Sequence, residues 1–193
     1  MIGNDLVDLK LAAKQSNWQR IGFLDKLFTL KEQGYILNSD NPFETVWLLW
    51  SMKESAYKSY IQMHNERFFA PKNLACHLTS KNKGTVLINN KLFFTESEID
   101  EAFIYTVAFT KNQLKSFIGD CFRFERSDFE TQHSQTYQKV LAAFANKLKL
   151  PVGQLKIEKN NQGVPRLFWG EMLLENSFSL THHGKFGAFC IGD

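Results

Sequence analysis

Three short segments hold side chains whose charge calls for a partner. The first is Gly3-Asn4-Asp5. The second is the run 47–58, WLLWSMKESAYK, which contains Lys53, Glu54 and Lys58. The third is Ser179-Leu180-Thr181-His182-His183-Gly184. In a helix over the second run, Glu54 and Lys58 fall at i and i+4 on one edge. Trp47, Trp50 and Ile61 flank that edge, and Lys53 lies inside the apolar arc of Leu49, Trp50, Ala56, Tyr57 and Tyr60. A charge carried into an apolar face is costly unless it is paired. Metal and phosphate are natural partners here. Asp5 and Glu54 would supply two carboxylates, the usual protein share of a Mg²⁺ site that completes its shell with water and substrate phosphate. Lys58 and His182 could then hold the phosphates. Each segment also has an ordinary reading. Glu four residues before Lys is a common surface pair worth about 0.2–0.5 kcal/mol, lysines snorkel out of apolar faces, and a histidine at a strand end is usually just hydrogen-bonded.

The elements around these segments form two groups of similar content. Residues 1–9 read as a strand carrying Asp5 and Asp8. Residues 16–36 have helical character, with Thr29 and Glu32 spaced as a capping box that signals a new helix. Pro42 is a plausible helix start, and a long helix runs from about 43 to 63. Strands follow at 73–78, 85–88, 91–94 and 103–109, with Asn89-Asn90 as a hairpin turn. Lys111-Asn112 marks a seam. Beyond it come a strand at 116–124, a helix at 127–148, a strand at 154–159, a turn at 160–163, and strands at 177–182 and 186–191. The expected fold is α+β, with a unit at 1–111 and a second at 112–193, each a small antiparallel sheet packed on helices.

Composition narrows the function classes. A chain of 193 residues that is 44% hydrophobic and 22% charged has room for a sizeable core. A net charge of +3 suits an anionic substrate or an acidic partner. No dense basic stripe points to nucleic acid. Three widely spaced cysteines without a CxxC indicate neither a zinc site nor a disulfide framework. With no signal peptide and no membrane-length apolar run, the expected compartment is the cytoplasm.

Together the three segments resemble the 4′-phosphopantetheinyl transferase superfamily. Ile2-Gly3-Asn4-Asp5 looks like its G-x-D motif, and WSMKESAYK like its W-x-x-K-E-x-x-x-K motif. KLFTLKE, ending at Glu32, is similar to the F-x-x-x-E segment. FSLTHHG resembles the S-x-S-H-S segment with Thr181 in place of a serine, and GVPRL resembles G-K-P-x-L with Val164 in place of the lysine. The resemblance implies a Mg²⁺-dependent transfer of 4′-phosphopantetheine from coenzyme A to a serine of an acyl or peptidyl carrier protein. It assigns Asp5 and Glu54 to the metal, and Glu54 and Lys58 to catalysis. It assigns Lys53, Lys58, Gly163, Val164, Pro165, Arg166, Thr181 and His182 to coenzyme A. For the coenzyme's 3′-phosphate, Arg166, Lys139 and His183 are candidates.

The motif order is unusual. In the surfactin-type members the G-K-P and S-H-S segments come first; here the G-x-D and K-E segments do. The chain therefore resembles a circular permutation of the two-unit enzyme, which implies a monomer with its site between the halves and Met1 close to Asp193. The small acyl-carrier-protein synthases also begin with G-x-D but complete their site between subunits. Surfactin-type enzymes carry a second acid where this chain has Val7. The competing expectation is a decayed module that binds coenzyme or carrier without catalysis. Retention of both Asp5 and Glu54 speaks against it.

Overall fold

The computed structural model describes residues 1–64, 66–68, 70–111 and 117–192. The first unit opens with β1 (Ile2–Asp8), followed by α1 (Leu9–Gln15), α2 (Phe23–Leu27), α3 (Leu30–Leu37) and the long α4 (Pro42–His64). Four strands follow: β2 (Leu74–Leu78), β3 (Lys83–Ile88), β4 (Lys91–Ile99) and β5 (Phe103–Phe109). They form one antiparallel sheet in the order β1-β5-β4-β3-β2. Asn89 and Asn90 both have positive φ, at 45° and 64°, as a tight hairpin turn requires. The capping box at Thr29 and Glu32 is present.

Beyond the seam come β6 (Phe117–Arg123), α5 (Phe129–Leu148), then β7 (Leu155–Lys159), β8 (Pro165–Trp169), β9 (Met172–Leu174), β10 (Phe178–His183) and β11 (Phe186–Gly192). Here the first strand pairs with the last, as in the first unit, giving β10-β11-β6, while β7-β8-β9 forms a separate sheet. The single sheet expected for this half is thus two sheets of three strands, parted between β9 and β10. The fold is α+β with antiparallel sheets throughout. Three elements were not expected from the sequence. Helix α1 follows β1 directly, because Asp8 caps it by accepting from Leu11 N–H at 3.0 Å. Strands β8 and β9 add a hairpin after Pro165. The helical stretch at 16–36 divides into α2 and α3, the new helix starting at the Thr29/Glu32 capping box as its spacing indicates, with Phe28 extended between them.

Helix α4 packs on the five-stranded sheet and α5 on both three-stranded ones. Leu49, Met52 and Ala56 of α4 are buried with Val86, Phe93 and Ile104. Val140 and Phe144 of α5 are buried with Leu167, Phe178 and Ile191. Between the units, β1 and β10 run side by side in the same direction, joined by side chains at both ends. Ile2 N–H donates to Ser177 Oγ at 2.8 Å, and Asp8 N–H to His183 Nδ1 at 2.9 Å. Gly192 N–H donates to Ser177 O at 2.8 Å, so Ile2 and Gly192 meet at one residue. This is the neighbourhood the permuted order asks for. Asp193 and most of the seam, 112–116, lie outside the described residues.

Candidate active site

Gly3 decides how closely α4 approaches β1. A Cβ built on Gly3 would stand 2.1 Å from Ser55 O and 2.6 Å from Ser59 N, both backbone atoms of α4. Only a residue without a side chain permits that crossing. Two residues later on the same face of the strand is Asp5. At this crossing α4 presents Lys58. Its Nζ lies 3.0 Å from Asp5 Oδ1 and donates to Thr181 Oγ1 of β10 at 3.3 Å. One ammonium therefore links β1, α4 and the second unit.

Glu54 lies one helical turn before Lys58. Burial, and then the negative charge of Asp5, push its carboxyl up to about 7, with Lys58 pulling the other way. Asp5 and Glu54 thus lie within electrostatic reach of each other. They line one cavity of about 300 Å³ with Trp47, Trp50, Thr181 and His182. Two carboxylates lining one cavity, one of them pushed up mainly by burial, are a donor set that a hard divalent cation would satisfy. Among the described residues, no three His, Cys, Asp or Glu side chains converge as a metal cage. A site here would use the two carboxylates alone, as Mg²⁺ sites completed by water and phosphate do.

His182 is half-buried, its ring edge-on to Phe129 with centroids 5.9 Å apart. Burial, then the positive groups of His133, Lys58 and Lys159, hold its imidazole below the usual range. His133 stacks between Phe129 and Tyr137 on α5. His133 and Lys159 lie close enough to act on the His182 imidazole and were not singled out from the sequence. No local motif marks them; only the packing of α5 and β7 beside β10 does. Arg67 belongs with them. Gly163, at φ +73°, has the guanidinium of Arg67 against it, where a Cβ would stand 2.5 Å from Nη2. Val164 anchors that turn by burying its side chain in the first unit's core. Asn160 Oδ1 accepts from Val164 N–H at 2.9 Å. Pro165 and Arg166 start β8 from the same turn.

Three expected coenzyme contacts are not supported by this geometry. Lys53 is fully buried, and all three of its ammonium protons have acceptors: Glu32 Oε2 at 2.9 Å, Pro71 O at 2.8 Å and Leu74 O at 2.6 Å. Glu32 also accepts from Thr29 N–H and Cys76 N–H. This closed network ties α3, α4 and β2 together and leaves no donor for a ligand. The apolar arc that made Lys53 conspicuous needed a partner, and that partner is the capping-box glutamate. His183 is committed too: Nδ1 accepts from Asp8 N–H, so Nε2 carries the proton and faces Gln15 Oε1 at 3.2 Å. Lys139 pairs with Asp120 at 3.6 Å over the Phe122 ring.

A second cavity, of about 580 Å³, adjoins the first through Gln15, His182 and His183. Lys10, Lys14, Arg123 and Lys185 surround it. Its one carboxylate, Asp8, is committed to Leu11 N–H and to Lys185 N–H, at 3.0 Å each. Among the described residues none of the four cationic side chains has an ion-pair partner.

The family description "4′-phosphopantetheinyl transferase superfamily" matches residues 1–113. Among solved structures, the holo-[acyl-carrier-protein] synthase of Thermotoga maritima is similar at 13% identity, over 85% of this chain and 80% of that one, with a TM-score of 0.42. No curated protein matches.

Proposed function

The chain belongs to the 4′-phosphopantetheinyl transferase superfamily, and we propose that it moves the phosphopantetheine arm of coenzyme A onto a serine of a carrier protein. The observation that carries this reading is the meeting of Asp5 and Glu54 with Thr181 and His182 in one cavity, with Lys58 bonded to both Asp5 and Thr181. Strand β1 and helix α4 bring the carboxylates; β10 brings the second unit's share. In this reading Asp5 and Glu54 hold Mg²⁺. When bound, the ion supplies positive charge against the charge that builds on the leaving phosphate.

The other roles fall to the chain's own groups. Lys58, Thr181 and His182 face the non-bridging oxygens of the pyrophosphate, where fixed donors act more strongly than water would. Arg67, Lys159 and the backbone of Gly163 to Arg166 flank the nucleotide end. Glu54 is the carboxylate assigned to take the seryl proton. Adenosine 3′,5′-bisphosphate leaves. The basic cavity on the α1 side suits an acidic carrier surface, which would place the acceptor serine opposite the nucleotide. No helix of the described residues is long and apolar enough to cross a membrane. The reading adopts a cytoplasmic monomer.

The direct test incubates the protein with coenzyme A, Mg²⁺ and a panel of apo-carriers, and reads the mass gain of each carrier. Transfer to at least one carrier is expected. Glu54→Gln, which keeps shape and removes charge, is expected to lose most turnover with its circular dichroism unchanged. Parental turnover in that variant would exclude Glu54 as ligand or base.

A further inference from the structure

Lys58 already holds the carboxylate that the proposed reading gives to a metal ion. Its Nζ is 3.0 Å from Asp5 Oδ1, with the lysine side chain 27% exposed and the aspartate 11%. Its second partner, Thr181 Oγ1 at 3.3 Å, belongs to the phosphate-facing strand of the other unit. A cation supplied by the chain itself therefore sits on one of the two carboxylates. A dication arriving at Asp5 meets that ammonium at contact distance. Like charges held that close in a partly desolvated site are strongly unfavourable. Of the two, the ammonium on its flexible stem is free to move.

We propose that Lys58 competes with a divalent ion for Asp5, so that metal binding is a cation exchange at that carboxylate. The incoming divalent ion takes the carboxylate. Lys58 lets go of Asp5, keeps its footing at Thr181 and becomes available to the phosphate of the incoming substrate. Metal binding and phosphate binding are thereby coupled through one side chain. This inference rests on the function proposed above, because it takes Asp5 as a metal ligand.

Calorimetric titration of metal-free protein with Mg²⁺, without coenzyme, tests it. Lys58→Met keeps the stem and removes the competitor. The variant is expected to bind Mg²⁺ about tenfold more tightly, the factor that a partly buried contact pair of ~1.4 kcal/mol represents. The gain is expected to survive at 1 M salt, because exchange at contact is not screened as long-range repulsion is. An unchanged dissociation constant, or a gain that vanishes at 1 M salt, overturns the exchange while leaving the metal reading standing. No Mg²⁺ binding by either protein overturns both. The parent protein alone provides a second readout. In ¹⁵Nζ-lysine spectra, the Lys58 ammonium signal is expected to shift saturably with Mg²⁺, while the signal of Lys53, enclosed by three acceptors, stays fixed. A Lys58 signal indifferent to saturating Mg²⁺ overturns the exchange.

Discussion

Gly3→Ala tests the geometry on which the whole site depends. The added methyl would sit 2.1 Å from Ser55 O and 2.6 Å from Ser59 N, and real Cβ atoms do not come within 3.0 Å of such neighbours. Both obstacles are backbone, so no rotamer change relieves them. Helix α4 must retreat from β1 by about 1 Å before dispersion contact replaces overlap. Overpacking of this kind costs ~1–3 kcal/mol, occasionally more, and immovable neighbours argue for the upper end. Loss of glycine's freedom in the unfolded chain returns ~0.4–1 kcal/mol. The net loss of ~2 kcal/mol corresponds to a melting temperature lower by roughly 4–8 °C for a chain of this size. The same retreat carries Glu54 and Lys58 away from Asp5, and a 1 Å misplacement can cost ~10²-fold in rate. Melting curves and the carrier mass-gain assay read the two effects. Gly34→Ala is the control, since a methyl added there in α3 would meet nothing within 4 Å. It is expected to be neutral or slightly stabilising. A Gly3→Ala protein that melts within about 1 °C of the parent and transfers at the parental rate would refute the close-approach reasoning.

Glu54 should make the metal-free protein lose stability as pH rises. Its folded-state value of about 7 lies above the ordinary 4.5, so its contribution is fully present below about pH 4.5 and gone once pH has risen through about 7. At 1.36 kcal/mol per unit the span is of the order of 3 kcal/mol. Melting in chelator should show the fall, and Glu54→Gln should remove it; an equal slope in that variant would assign the effect to other groups. Lys53→Met strands Glu32 as a buried charge and should cost ~3–5 kcal/mol in denaturant unfolding. Lys53→Met with Glu32→Gln should recover much of that, and a single variant as stable as the parent would contradict the closed network. Charge reversal at Lys10 and Lys14 should raise the carrier KM several-fold at low salt and leave coenzyme affinity alone. A carrier KM that does not move would place the acceptor elsewhere.

Features written in local order were legible from the residues alone. The periodicity of 43–63 and the helix start at Pro42 set α4, the capping-box spacing set the start of α3, and alternation set β5. Motif spacing pointed to Asp5, Glu54, Lys58 and His182 as one group, and the motif order implied that the two ends of the chain lie together. Tertiary structure decided what depends on partners far away in the chain. A lysine in an apolar arc can face a ligand or a buried acid equally well by pattern; only the docking of α3 and β2 against α4 gave Lys53 to Glu32. His183 has the same residue type as His182, but register across β1 and β10 turns one ring onto Asp8 and the other into the cleft. Arg67 beside Gly163, and His133 and Lys159 near His182, come from three separate parts of the chain, none with a motif. Burial and Coulomb energy depend on distance in space, and distance in sequence carries almost no information about that once the chain has turned back on itself.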